Sequence, residues 1–298
     1  MLKIRKFLTF GYSCYDILSI ILLVVKSCAS DDGCTSDSVP KSPRKPQLEK
    51  LFLLKKRISN TKNGRVYVGV QRSMPKVQVV VKRVPKSNPS VYNEVRLTQQ
   101  AAKCCGYVLP MLFIEETDSH VIYVQQRFGT SLYDFMVNRN KPLSEKEARV
   151  VFRQIVAAQV QLQRAGIFHL DIKEENVVIH PRTLRIKIID FGCALGQEEP
   201  VVGFHGSREF AAPEMFCSEF EAEAKGKHDV WSLAVSLFSA VSGRLAYDSM
   251  EEVFKSGVNL QAGGMSAEII EVFQRCLVMD HRRRASFEEL LELKFFAV

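Results

Sequence analysis

Eight consecutive residues, His169, Leu170, Asp171, Ile172, Lys173, Glu174, Glu175 and Asn176, place a carboxylate, an amine two positions on and an amide three further in one short string. If the loop curls back, these groups converge on one reacting centre. The Asp171 carboxylate then orients a hydroxyl and accepts its proton, the Lys173 ammonium neutralises a transferring phosphate, and Asn176 holds a metal ion. Nineteen residues after Asp171 comes the string Asp190, Phe191, Gly192, where an acid followed by glycine can approach a metal closely. Alone, such a triplet is a common chance match. Lys82, Asp229 and Trp231 also have plain readings taken singly, as a surface strand lysine, a capping residue and a core aromatic. The strong signal is the order and spacing of the strings together.

The elements that must position these strings are legible as periodicities. Val77, Val79 and Val81 alternate with Gln78, Val80 and Lys82, which predicts a strand with one fully apolar face. Leu184, Ile186 and Ile188 alternate with Arg185 and Lys187 and predict a second strand leading to Asp190. Between them, Ser144 and Glu147 form a capping box after Pro142. The helix they open carries Val151, Ile155, Ala158 and Leu162 on one face and stops at Gly166. Strands come first and helices dominate later, so the fold class is α+β. A chain of 298 residues holds one large domain or two lobes. Hydrophobic and charged fractions of 46% and 25% are globular values, and they argue against a largely disordered, collagenous or multi-span membrane chain. There is no internal repeat.

From Leu48 to the C-terminus the sequence resembles the eukaryotic protein kinases. Val79, Val80, Val81, Lys82 matches that family's V-A-I-K strand, Glu94 stands where its ion-pairing Glu does, and Ala212, Pro213, Glu214 is its A-P-E triplet. Asp229, Val230, Trp231, Ser232 resembles the start of its long central helix, and Arg284 fits the Arg that pairs with the A-P-E Glu. DIKEEN, GSREFAAPE and CLVMDHRRRASFEEL look closest to the PIM kinases of the calcium/calmodulin-dependent group. The resemblance implies a bilobal fold: a small antiparallel sheet with one helix over residues 47–125, then a larger, mainly helical lobe over 126–298. It also implies serine/threonine kinase activity with ATP and Mg²⁺, or Mn²⁺ in its place. Lys82 would contact the α- and β-phosphates and pair with Glu94, Asp171 would position the hydroxyl, Lys173 would steady the γ-phosphate, and Asn176 and Asp190 would hold the metal. Ser207 would bond the catalytic-loop side chains. Ser59, Gly64, Val66, Val124 at the gatekeeper and Gln126 in the hinge 125–128 would line the nucleotide site.

Three positions depart from the family. Its loop G-x-G-x-x-G reads here Ser59, Asn60, Thr61, Lys62, Asn63, Gly64, so only the third glycine survives. A Cβ hinders backbone amides from closing on phosphates, which predicts weakened ATP affinity. Leu170 replaces the Arg that reads an activation-segment phosphate, and residues 190–214 contain no Thr or Tyr and only Ser207. Reader and target are missing together, which suggests activity without phosphorylation of that segment, with Glu198 and Glu199 as fixed negative charges. Ala234 replaces a helix glycine, to which no functional meaning attaches. The degenerate loop leaves a pseudokinase scaffold as the alternative function.

Charge and cysteine usage bear on partners. Within the net +8, residues 51–110 hold 12 basic side chains against the single acid Glu94, and residues 111–298 are net −6. The basic segment lacks interleaved aromatics and a motif for nucleic acid, so none is expected. Protein substrates are, with a weak preference for basic sites suggested by Glu175 and Asp134, although Ser131 and Ser239 replace acids of other basophilic kinases. The eight cysteines show no C-x-x-C spacing and read as reduced thiols of an intracellular protein, cytoplasmic or nuclear and monomeric. Residues 1–46 read as an extension and linker. Lys3, Arg5 and Lys6 before the apolar run 17–25 are signal-like, but that run is short of the about 20 residues a membrane span needs. A secretory signal, a membrane-surface or partner-binding extension and a poorly ordered tail all remain open.

Overall fold

Valine-rich stretches favour extended chain because a branched Cβ packs well on a pleated surface. In the computed structural model they form the first half of the fold. The structure describes residues 47–61, 64–217, 221, 223–260 and 263–297, so the signal-like run, the linker and Lys62 lie outside it. A short helix α1 (Gln47–Leu51) leads into β1 (Phe52–Thr61), β2 (Gly64–Gln71) and β3 (Met74–Pro85). Then come α2 (Val91–Cys104), β4 (Met111–Glu116) and β5 (His120–Gln126). The five strands make one antiparallel sheet in the order β1-β2-β3-β5-β4.

Alternation along β3 and β5 gives the sheet two apolar faces. Val79, Val81, Ile122 and Val124 pack with Leu48 and Phe52 on one face. Val84, Val121 and Tyr123 pack with Val91 of α2 on the other. Lys82 therefore sits on the face that α2 covers.

The second half is mostly helical. After β6 (Thr130–Ser131) come α3 (Leu132–Arg139) and α4 (Glu145–Arg164). Both reciprocal bonds of the Ser144–Glu147 capping box form, and Val151, Ile155, Ala158 and Leu162 are buried as the periodicity requires. Gly166, at φ +68°, turns the chain out of the helix. The short strands β7 (Ile167–Phe168), β8 (Val177–Ile179), β9 (Ile186–Ile188) and β10 (Leu195–Gly196) form two small ladders, β10-β7 and β6-β8-β9. Leu184 falls outside its predicted strand. It sits at φ +54° and donates its amide to the His180 carbonyl, closing the turn that reverses the chain into β9.

Helices α5 (Ala224–Ser242), α6 (Met250–Ser256), α7 (Ala267–Cys276) and α8 (Phe287–Leu291) complete the fold. Helix α5 is the buried axis of this half, with Trp231, Leu233, Val235, Leu237 and Phe238 removed from solvent. It starts five residues before Asp229, so Asp229 lies within the helix instead of opening it. The whole is bilobal, a five-stranded antiparallel sheet with one packed helix followed by a larger helical lobe. Among the described residues no helix is long and apolar enough to cross a membrane, and the described cysteines are all free.

Candidate active site

Strand register decides which side chains face the cleft between the lobes, because cross-strand partners share a face and their neighbours take the other. Ser59 pairs with Val66, Val66 with Lys82, and Lys82 with Tyr123, so one row of side chains crosses four strands on the face of Lys82. The Lys82 Nζ lies 2.5 Å from Glu94 Oε1 of α2 and 2.9 Å from Asp190 Oδ1. The Tyr123 hydroxyl donates to the same Glu94 oxygen. Burial works against the Lys82 charge, but Tyr123, Asp190 and Glu94 outweigh it and hold the pKa well above the ordinary lysine value. Desolvation raises the Asp190 carboxyl, and the adjacent ammonium more than reverses this, leaving it lowered. Both groups are charged at neutral pH, as phosphate and metal binding require.

The catalytic-loop string does curl back. Asp229 accepts the backbone amides of His169 at 2.9 Å and Leu170 at 2.8 Å, anchoring the loop to α5. Burial pushes the Asp229 carboxyl up to about 7, against the pull of those two amides. His169 lies 5.0 Å from the Phe191 ring, and its Nε2 is 3.1 Å from the Ile189 carbonyl, which joins the loop to the end of β9. Asn176 Nδ2 donates to both the carbonyl and Oδ2 of Asp171 at 2.8 Å. Lys173 Nζ is 3.1 Å from Asp171 Oδ2 and 2.5 Å from Ser207 Oγ. With Oδ2 so occupied, Asp171 Oδ1 is buried and has no partner. A buried carboxylate oxygen left open is where a substrate hydroxyl can donate.

The oxygen set fits a hard divalent ion. Asn176 spends its NH₂ on Asp171, which leaves its Oδ1 available, and the Ile189 amide bonds the Asn176 carbonyl at 3.0 Å, bringing Asp190 alongside. Carboxylate and amide oxygens are the ligands that Mg²⁺ and Mn²⁺ take, usually completed by water and substrate phosphate. Among the described residues no trio of His, Cys, Asp and Glu gathers, so an ion here would depend on those additional oxygens.

The structure moves two nucleotide-site assignments. Val124 pairs with Val81 and is fully buried beside Val79, Leu48 and Phe52, on the face away from Lys82. The neighbour of Val124 in β5, Gln125, is opposite Val80 and shares the face of Lys82 with Tyr123; its side-chain amide nitrogen is held by the Leu109 carbonyl at 2.8 Å. Gln126 pairs with Val79, so its backbone, not its side chain, is what it can offer the cleft. Gly64 also has a role apart from phosphate. At φ +134°, a Cβ there would meet the Arg83 carbonyl oxygen at 2.6 Å, so glycine is needed for β2 to lie against β3.

Glu214 receives Arg284 through two bonds of 2.7 and 3.0 Å. Leu170, at φ +58°, is fully buried with Phe168, Leu195 and Val201, so an apolar cluster stands where an arginine would read phosphate. Ser131 caps α3, accepting the Asp134 amide. Burial raises the Glu174 carboxyl to about 7, with Ser239 and Ser236 as its hydroxyl partners, which explains serine rather than an acid at 239. Burial pushes the Cys193 thiol up to about 11, an unreactive state at neutral pH. Tyr123 and the amide-binding role of Asp229 escaped sequence reasoning. Alternation about Lys82 was the available signal for the first, and the second had none.

The comparisons agree with this geometry. The protein kinase domain family matches residues 52–296, and the chain belongs to that family. It is 30% identical over 191 residues to the serine/threonine-protein kinase PSK2 of Saccharomyces cerevisiae, covering 62% of this chain and 17% of that protein. It is 30% identical over 199 residues to the carbon catabolite-derepressing protein kinase of Candida glabrata, covering 64% and 32%. With the serine/threonine-protein kinase prk-2 of Caenorhabditis elegans it shares 27% identity over 259 residues, 82% of this chain and 58% of that protein. The chain thus spans less than two thirds of the length of each of these relatives.

Proposed function

We propose that this chain is a serine/threonine protein kinase that transfers the γ-phosphate of ATP, with Mg²⁺ or Mn²⁺, to hydroxyls of protein substrates. The observation that carries the reading is the open Asp171 Oδ1, held between Lys173 and Asn176 and next to a complete Lys82–Glu94–Asp190 network. Asp171 accepts the hydroxyl proton, Lys173 neutralises charge on the transferring group, and Lys82 holds the nucleotide phosphates while Glu94 fixes Lys82. Asp190 and Asn176 would hold the ion, which supplies charge neutralisation at the phosphates. The pseudokinase alternative rested on the loop at 59–64, and the intact charged network does not favour it. The test is phosphate transfer to a generic basic peptide beside an Asp171→Asn control; equal rates in the two would overturn the assignment.

Activity independent of activation-segment phosphorylation is part of the proposal. Its support is the buried Leu170 cluster together with a segment that lacks Thr and Tyr. The strings DIKEEN and GSREFAAPE support kinship with the PIM kinases. Exposed Glu175 and Asp134 support basic substrates. A monomer of cytoplasmic or nuclear location, with the lobes divided near residue 125, completes this reading.

A further inference from the structure

Lys225 is a cation in the first turn of α5, fully buried. A helix N-terminus disfavours positive charge, and burial of an ammonium is costly unless it is fully bonded. Burial indeed lowers its pKa, with Glu199, Glu198 and Glu223 acting in the opposite sense. The compensation lies in the segment after β10. Lys225 Nζ donates to the carbonyls of Gly196 at 3.0 Å, Gln197 at 2.7 Å and Glu199 at 2.7 Å, using all three ammonium protons. Its head also lies 5.4 Å from the Phe168 ring.

The same few residues reach the other lobe. Glu199 Oε2 accepts the Gly196 amide at 2.7 Å, while its Oε1 accepts Arg96 of α2. Arg96 also donates to Asn93, whose Nδ2 bonds the Ala194 carbonyl at 3.1 Å. Asn93 is the neighbour of Glu94, the partner of Lys82. A continuous polar chain therefore runs from α5 through residues 194–199 to the helix that carries Glu94.

We propose that Lys225 is a positioning residue of the kinase site, strapping residues 196–199 to α5 so that Glu199 holds Arg96 and α2 in the place where Glu94 meets Lys82. The strap rests on the kinase reading only for its effect on rate; its structural content stands apart. Lys225 removes the freedom of the turn that follows β10, where residues 197–199 have no ladder partner, and Glu199 supplies a permanent anion to α2.

The test is hydrogen exchange and steady-state kinetics on the full chain for Lys225→Met, Arg96→Gln, the double variant and Lys255→Met, an exposed control on α6. Lys225→Met is expected to speed exchange in both 194–202 and 91–104 and to lower kcat/KM for ATP about tenfold, and the double variant to lose no more than the worse single. Arg96→Gln should speed exchange in 91–104 while 194–202 stays protected, and Lys255→Met should change nothing. Unchanged exchange in 91–104 for Lys225→Met, or losses that multiply in the double variant, would overturn the strap. If the wild type transfers no phosphate, the kinase reading fails and the exchange data still decide the strap. If Lys225→Met does not fold, Glu199→Gln decides, since both side chains of its pair are partly exposed. It must loosen 91–104 as Arg96→Gln does, and no loosening in either overturns the proposal.

Discussion

Replacing Leu170 with arginine, the residue most of the family carries there, should damage this protein. Leu170 is fully buried against Phe168, Leu195 and Val201. Losing that burial costs about 2 kcal/mol. The φ of +58° persists in the variant, so no strain is relieved. The new guanidinium enters an apolar cluster, and Glu199, an acid in the segment after β10, is already bonded to Arg96. An incompletely paired charge brings the total to about 3–5 kcal/mol. For a domain of this size that lowers Tm by roughly 6–20 °C. Thermal unfolding of the unliganded chain, followed by calorimetry, reads this directly. Leu170→Met keeps volume and apolarity and should cost less than about 1.5 kcal/mol. If Leu170→Arg melted within about 2 °C of wild type, the apolar cluster would not be the reason the phosphate reader is absent.

Three further outcomes follow from the geometry. Glu214→Gln leaves Arg284 buried without its carboxylate and should destabilise by about 3–5 kcal/mol in denaturant unfolding, whereas removing both partners together should cost less than the two singles combined. The Glu147 carboxyl is lowered from 4.5 to about 2, first by Arg139 and then by the Ser144 bonds; a depressed folded value gives stability present above pH 4.5 and lost as pH falls toward 2, worth about 1 kcal/mol once screening of this partly exposed pair is allowed for. Tm measured from pH 5 to 2 should fall more for wild type than for Glu147→Gln, and parallel curves would contradict this. Restoring glycine at Ser59 and Thr61 should lower the KM for ATP, while Gly64→Ala should destabilise the fold through its clash with Arg83; an unchanged KM would show that the loop side chains do not limit nucleotide binding.

What could be read in advance follows the range of the forces involved. The capping box at Ser144 and the stop at Gly166 are local, and both formed as spelled. His169 to Asn176 and Asp190 were legible because their residue types and order carry the chemistry. Faces of the sheet were harder to read. Whether Val124 or Gln125 looks toward Lys82 depends on the β3–β5 register, fixed by residues some forty positions apart. The start of helix α5 was not legible because Glu223 makes no capping bond and leaves no cap signal. Lys225 and the two amides on Asp229 act through contacts between distant segments, for which the local sequence has no pattern.

The central claim is that Asp171 and its neighbours transfer phosphate with no phosphate on residues 190–214. The most direct measurement is phosphoryl transfer from ATP to a serine- or threonine-containing peptide by enzyme treated with phosphatase, with mass spectrometry showing that segment unmodified, beside the Asp171→Asn variant. The treated wild type should turn over steadily, and the variant should lose at least about a hundredfold. Turnover that vanishes with phosphatase treatment, or that persists undiminished in Asp171→Asn, would contradict that claim.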